Sequence, residues 1–138
     1  MSGEEQTVLI VDDDLDTRSQ LAWCLRDEHH VLLAGDPVEA RRHLRESAVD
    51  LVLLDLHLPP GTDDIRQGLD LLDWIQADAR HLPVIVITGD ERADTERICL
   101  RHGAFGFFRK PAAPGELRAM LARALETRRL GATPEGRS

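Results

Sequence analysis

Residues 51–55 are Leu-Val-Leu-Leu-Asp, four apolar residues in succession that end directly in a carboxylate. A similar run, residues 7–11, comes near the start of the chain and is followed by three aspartates at 12–14. Residues 84–87 form a third uninterrupted apolar run. Runs in which apolar and polar residues do not alternate are typical of strands covered on both faces, as in a parallel sheet.

Five apolar runs alternate along the chain with five segments of helical period. The predicted strands are residues 7–11, 31–34, 51–54, 84–87 and 105–108. The first, third and fourth helices are predicted over residues 15–28, 69–79 and 91–102. Asp36 is the expected N-cap of the second helix, and the fifth is indicated by apolar residues at helical spacing from Leu117 to Leu125. This alternation predicts right-handed βαβ units and an α/β sheet with helices on both faces.

Length and composition limit the classes of function. The 138 residues suit one domain, expected over residues 7–128, with tails at 1–6 and 129–138, the second of them disordered and too short for an output domain. The net charge of -8 argues against a nucleic-acid surface. No apolar run approaches 20 residues and no leader is evident, so a cytoplasmic protein without a membrane segment is expected. Two cysteines, Cys24 and Cys99, are expected to be buried free thiols.

Polar side chains follow several of the predicted strands. Asp12 and Asp13 follow the first, Asp55 the third, Thr88 the fourth and Lys110 the fifth. Ligands of an open parallel sheet bind at the carboxyl ends of its strands, so we expect these side chains to share one crevice. Three carboxylates repel one another unless a cation lies between them, and hard oxygen ligands favour Mg²⁺.

Lys110 is the only lysine among the 17 basic residues of the chain. A compact ammonium can reach a phosphoryl oxygen and a carboxylate in turn, which a planar guanidinium does poorly. Plainer interpretations stay open for each residue alone. Lys110 could be a solvated lysine, Asp55 a cap or turn former, Thr88 an ordinary strand residue and Phe107 a core aromatic.

Together, these motifs resemble the receiver domain of two-component response regulators, over roughly residues 7–128. The resemblance rests on the acidic pair Asp12-Asp13, on Asp55 within Leu-Leu-Asp-Leu, on Thr88-Gly89 and on Lys110-Pro111. It implies a flavodoxin-like (βα)5 fold, a doubly wound sheet of five parallel strands in the order 2-1-3-4-5.

The resemblance also implies a role for each residue. Asp55 would take a phosphoryl group from the phosphohistidine of a sensor histidine kinase or a phosphotransfer protein. Asp12, Asp13, Asp55 and the backbone carbonyl of His57 would bind Mg²⁺, and Lys110 would bridge to the phosphoryl group next to a cis bond to Pro111.

The resemblance implies a switch as well. Thr88 would move toward the phosphate and Phe107 would rotate inward. The face of the fourth helix, fifth strand and fifth helix would then change shape for a downstream protein target. Homodimer formation stays open.

Three features depart from the family pattern. The loop from Pro59 to Gly68 is longer than usual, and is either a tolerated insertion or a partner-recognition or lid loop. Phe107 lacks the hydroxyl that a tyrosine would offer. His57 and Asp90 occupy positions that influence the lifetime of the phosphoryl group in the family, and Asp90 could help to orient an attacking water.

Three alternative functions remain open. A Mg²⁺-dependent phosphatase of the haloacid dehalogenase type also has acids after its first strand, but here Asp12-x-Asp14 lacks the Thr or Val that completes that motif. A flavodoxin-like cofactor binder needs a neutral phosphate loop where this chain has three aspartates. A receiver could also serve as an unphosphorylated binding module.

Overall fold

The computed structural model describes residues 5–59, 64–78 and 81–130, and within them five strands and five helices alternate along the chain. The strands are β1 (Thr7–Val11), β2 (His30–Ala34), β3 (Leu51–Leu54), β4 (Val84–Thr88) and β5 (Gly106–Arg109). The helices are α1 (Leu15–Leu25), α2 (Pro37–Glu46), α3 (Arg66–Gln76), α4 (Thr95–Arg101) and α5 (Pro114–Arg129). All four pairings are parallel, in the order β2-β1-β3-β4-β5. The predicted fold is therefore confirmed.

The sheet is buried on both faces, as its uninterrupted apolar strands predict. Leu9 and Val11 of β1 belong to one hydrophobic cluster, whereas Val8 and Ile10 belong to the other. Successive side chains of a strand point to opposite faces, so an apolar residue at every position of β1 serves both clusters. The same holds for β3 and β4, in which every residue is buried.

Side-chain caps fix where α1 and α2 begin. The Asp36 carboxylate accepts a hydrogen bond from the Glu39 amide at 2.8 Å, and Pro37 takes the first helical position, as predicted. At α1, Asp14 Oδ2 accepts bonds from the Thr17 amide at 3.2 Å and the Thr17 hydroxyl at 2.6 Å. The third aspartate after β1 is therefore a helix cap.

Four helix boundaries differ by three or four residues from the predicted ones, and contacts near two of them explain the difference. The helix α1 ends at Leu25, not Glu28, and α3 ends at Gln76, not at residue 79. The helix α3 begins at Arg66, not Leu69, because Asp64 Oδ1 accepts the Arg66 amide at 2.9 Å. The loop expected to run to Gly68 therefore ends earlier, and its residues 60–63 lie outside the described part. The helix α4 begins at Thr95, not Glu91, because Asp90 bonds to the segment before it.

Gly68 allows the first turn of α3 to lie directly against the chain that leaves β3. A Cβ atom at position 68 would lie 2.4 Å from Leu56 Cα and 2.6 Å from its carbonyl oxygen, far inside van der Waals contact. The amide of Gly68 donates to that same carbonyl at 3.1 Å. Because the neighbour is backbone, a side chain here could be accommodated only if α3 moved.

The strand β2 forms one edge of the sheet, and a side chain of α2 reaches its outer side. His30 and Ala34 make the hydrogen bonds toward β1, so the carbonyl of Leu33 points the other way. His43 of α2 places its Nε2 atom 3.0 Å from that carbonyl oxygen. A side chain therefore satisfies a backbone group that the sheet leaves open.

Both cysteines are free thiols, as predicted, but only Cys99 is buried. Cys24 is half-buried in α1, which contradicts its expected full burial. Of the predicted second tail, residues 131–138 lie outside the described part, and α5 extends to Arg129. Within the described ranges, no helix is both long and apolar enough to cross a membrane.

Candidate functional site

Three carboxylates meet at the carboxyl ends of β1 and β3. Asp12 and Asp55 are almost completely buried, at 2% and 5% exposed, whereas Asp13 is exposed. One carboxylate oxygen from each residue lies within 4.8 Å of the other two. The site forms here because β1 and β3 are neighbours in register, with Val11 opposite Leu54, so their next residues leave the sheet side by side.

Lys110 reaches this cluster from the end of β5. Its Nζ atom lies 2.8 Å from Asp12 Oδ2 and 3.1 Å from Asp55 Oδ2, so one ammonium bridges two buried carboxylates. The amide of Lys110 donates to the Thr88 carbonyl at 2.9 Å, which ties the residue to the end of β4. The bond between Lys110 and Pro111 is cis, as the resemblance implies.

Burial and charge displace the pKa values of this pair. Burial raises the pKa of Asp12 above its ordinary value of 3.8, and the charge of Asp55 adds to it, outweighing hydrogen bonds from Lys110 and the Asp14 amide. Burial lowers the pKa of Lys110, but its hydrogen bond to Asp12 and the charges of Asp55 and Asp12 outweigh that effect and raise it. The ammonium therefore stays charged while the carboxylates compete for it.

The donor set of this cluster fits a hard divalent cation. When all three carboxylates are ionised, one ammonium leaves two negative charges uncompensated, and the two positive charges of Mg²⁺ would balance them. Carboxylate oxygens are the ligands that Mg²⁺ prefers. The backbone of His57 lies beside the cluster, because its amide approaches Asp55 Oδ1 at 3.4 Å.

Thr88 lies at the end of β4 with its side chain turned to a different partner. It is completely buried, and its Oγ1 atom accepts a hydrogen bond from the Asp90 amide at 3.2 Å. The structure therefore brings together Asp12, Asp13, Asp55 and Lys110, while the hydroxyl of Thr88 belongs to the loop that follows β4.

Asp90 is the centre of a polar cluster whose partners the sequence analysis missed. Its Oδ1 atom accepts from Arg92 Nη2 at 2.9 Å and lies 3.1 Å from His57 Nε2, and its Oδ2 atom accepts from the Thr95 hydroxyl. Burial would raise the pKa of Asp90, but hydrogen bonds from Arg92, Thr95 and His57 hold it well below its usual range. The position of Asp90, two residues after Thr88, was the only signal in the sequence.

Arg109 was also missed, although it lies directly before Lys110. Its Nε atom donates to the Asp90 carbonyl at 3.2 Å and its Nη2 atom to the Arg92 carbonyl at 2.7 Å. Its guanidinium carbon lies 5.1 Å from the centre of the Phe107 ring, which is half-buried against the core. Arginine is abundant in this chain, so nothing in the sequence marked this one.

Comparison with known proteins places these features in a family. The model of the response regulator receiver domain matches residues 8–122. The response regulator protein PilR of Pseudomonas aeruginosa is 40% identical over 124 residues, 89% of this chain and 27% of that protein. The nitrogen assimilation regulatory protein NtrX of Azorhizobium caulinodans is 34% identical over 124 residues, with the same coverage of each chain. The chain thus spans about 27% of the length of these relatives.

Solved structures agree with the sequence comparison. The receiver domain of NtrX from Brucella abortus is 36% identical, covers 87% of this chain and 98% of its own, and superposes with a TM-score of 0.78. The signal receiver domain of a putative Luxo repressor protein from Vibrio parahaemolyticus is 25% identical, with coverages of 96% and 98% and a TM-score of 0.84. On these likenesses and its parallel sheet, the chain belongs to the response regulator receiver domain family of two-component signalling.

Proposed function

We propose that residues 7–128 form a phospho-accepting unit in which Asp55 takes a phosphoryl group from the phosphohistidine of a sensor histidine kinase or a phosphotransfer protein. One observation carries the proposal. The single lysine of the chain places its Nζ atom 3.1 Å from Asp55 Oδ2, beside two further carboxylates. A nucleophile, a fixed positive charge and an acidic cation site at one point are the parts that phosphoryl transfer needs.

The transfer replaces one bond by another. A carboxylate oxygen of Asp55 attacks phosphorus in line with the leaving imidazole nitrogen, the P–N bond breaks, and the imidazole takes up a proton as an acyl phosphate forms. Lys110 neutralises charge on the phosphoryl oxygens and keeps Asp55 in place. When bound by Asp12, Asp13, Asp55 and the His57 carbonyl, Mg²⁺ would supply further positive charge.

The phosphorylated state engages Thr88 and Phe107. If Thr88 moves toward a phosphoryl group on Asp55, its Oγ1 atom leaves its present position, where it accepts a hydrogen bond from the Asp90 amide at 3.2 Å. Phe107 then repacks, and the surface of α4, β5 and α5 changes shape for a downstream protein target. A new dianionic group thereby biases an equilibrium between two arrangements of the same fold, in a protein for which we propose a cytoplasmic location.

The phosphatase alternative has less support. Its motif needs the second acid of Asp12-x-Asp14 to face the reaction centre, and here Asp14 caps α1 through Thr17. The second acid of that motif is therefore engaged at the start of a helix.

Incubation with Mg²⁺ and acetyl phosphate, followed by intact mass measurement, tests the proposal. The wild type should gain one phosphoryl group and Asp55→Asn none, because an amide in place of the Asp55 carboxylate beside Lys110 lacks the oxygen that would attack phosphorus. Asp70→Asn, which changes an exposed aspartate of α3, is the matched control and should gain one group. A wild type that gains nothing would favour an unphosphorylated binding module, and equal gain by Asp55→Asn would exclude Asp55 as the acceptor.

A further inference from the structure

The loop between β4 and α4, residues 89–94, is fastened at two places by side chains from outside it. On one side, Arg109 of β5 donates to the carbonyls of Asp90 and Arg92, at 3.2 and 2.7 Å. On the other, His57 Nε2, from the chain that leaves β3, lies 3.1 Å from Asp90 Oδ1. The loop is therefore held against both neighbouring strand ends.

The same contacts also hold Thr88, the residue that is expected to move when Asp55 is phosphorylated. The Asp90 amide donates to the Thr88 hydroxyl at 3.2 Å, while the carbonyl of the same residue accepts from Arg109. Asp90, only 8% exposed, is fixed in addition by bonds from Arg92 and Thr95 to its carboxylate. As long as Asp90 stays in place, the hydrogen bond from its amide opposes displacement of the Thr88 Oγ1 atom.

The shape of the Arg109 side chain allows it to hold two carbonyls of the loop. A guanidinium presents several donors in a rigid fork, so one side chain can bond two carbonyls at once, whereas an ammonium is a compact point donor. Phe107 and Arg109 are two residues apart on β5 and share a face of the sheet, which explains the 5.1 Å contact between guanidinium and ring. A change in Phe107 packing would therefore also disturb Arg109.

We propose that Arg109 is a positioning residue that stabilises the unphosphorylated arrangement of the 89–94 loop and thereby opposes phosphorylation of Asp55. The inference rests on the proposed function, because it concerns the movement of Thr88 toward a phosphoryl group on Asp55. A contact that favours one of two arrangements lowers the population of the other, and removing it raises that population. Loss of Arg109 should therefore speed phosphorylation.

Two measurements on Arg109→Gln test the inference. Amide hydrogen exchange of residues 89–92, measured without any phosphodonor, should become several-fold faster because the loop has lost the two hydrogen bonds from Arg109 to its carbonyls. The rate of Asp55 phosphorylation by acetyl phosphate with Mg²⁺ should rise by roughly three- to tenfold, as expected when about one net hydrogen bond no longer opposes the change. Both rates for Arg109→Lys should lie between those of the wild type and Arg109→Gln, because lysine keeps the charge and can bond one carbonyl.

Arg123→Gln, which removes an exposed arginine of α5, is the matched control and should leave both rates within twofold of the wild type. Unchanged loop exchange in Arg109→Gln would overturn the inference, as would faster exchange with unchanged or slower phosphorylation. General damage to the fold would slow phosphorylation, so an accelerated rate separates positioning from a merely structural role. A wild type that gains no phosphoryl group would instead contradict the proposed function, which the wild type reports on its own.

Discussion

Two buried aspartates show how the surroundings of a carboxylate decide its charge. Asp12 and Asp90 are both nearly inaccessible to water, at 2% and 8% exposed. Asp12 shares one ammonium with Asp55, so burial prevails and its pKa is raised. Asp90 receives bonds from Arg92, Thr95 and His57, which prevail over burial, so its pKa is lowered. Ionised Asp12 therefore destabilises the fold, and ionised Asp90 stabilises it.

Asp12→Asn should raise the stability of the protein at pH 7 without divalent cations, by about 0.5–2 kcal/mol, the usual size of a stabilising substitution. A carboxyl whose folded pKa is raised contributes most below its unfolded value, 3.8 for Asp12, and that contribution is lost as pH rises through the folded pKa. The advantage of the variant should therefore shrink as the pH falls toward 4. Urea unfolding between pH 4 and 7 measures this, and an advantage independent of pH would contradict the assignment.

Four of the five side chains that were expected to share the crevice do so, because they come at the ends of neighbouring strands, whereas the Thr88 hydroxyl accepts from the Asp90 amide. Asp12, Asp13 and Asp55 each follow an apolar run, and Lys110 is unique in the chain. The contacts of Arg109 could not be predicted. It acts on carbonyls of residues 90 and 92, and bonds to backbone leave no mark on the identity of the residues that accept them.

At the scale of elements, strands were easier to predict than helix ends. The bounds of β1 and β3 agree with the apolar runs, since each residue there is covered by helices. The start of α4 was predicted four residues early because helical period continues through residues 91–94. Contacts of Asp90 with Arg92 and Thr95 hold that segment as a loop, and such contacts outweigh local propensity.

Gly68→Ala should destabilise the fold by about 1–3 kcal/mol, the usual cost of forcing extra atoms into a packed contact. The added Cβ would lie 2.4 Å from Leu56 Cα, and backbone cannot rotate away as a side chain can. Thermal unfolding measures the effect.

Gly115→Ala is the matched control for this substitution. It also lies in a helix, but a Cβ there would meet nothing within 4 Å. Alanine favours a helix more than glycine does, so this variant should be unchanged or slightly more stable. Equal effects of the two substitutions would contradict the close approach of α3 to Leu56.

For the whole molecule, binding of a divalent cation should be visible as added stability. Mg²⁺ at about ten times its dissociation constant should add about 1.4 kcal/mol to the free energy of unfolding, because it binds the folded chain only. Asp13→Asn should weaken this gain without disturbing the core, since Asp13 is exposed. Thermal unfolding with Mg²⁺ and then with a chelator measures it. A gain that Asp13→Asn leaves intact would place the ion elsewhere.

The imidazole of His43 on the Leu33 carbonyl has a consequence for how copies of the chain behave in concentrated solution. Unpaired carbonyl and amide groups along an edge strand can pair with a strand from a neighbouring molecule, and repeated addition leads to fibres. On β2 the carbonyl of Leu33 already has a partner, so an incoming strand would first have to displace the His43 ring. The neighbouring molecule would gain one backbone hydrogen bond there only by breaking an existing contact with a side chain.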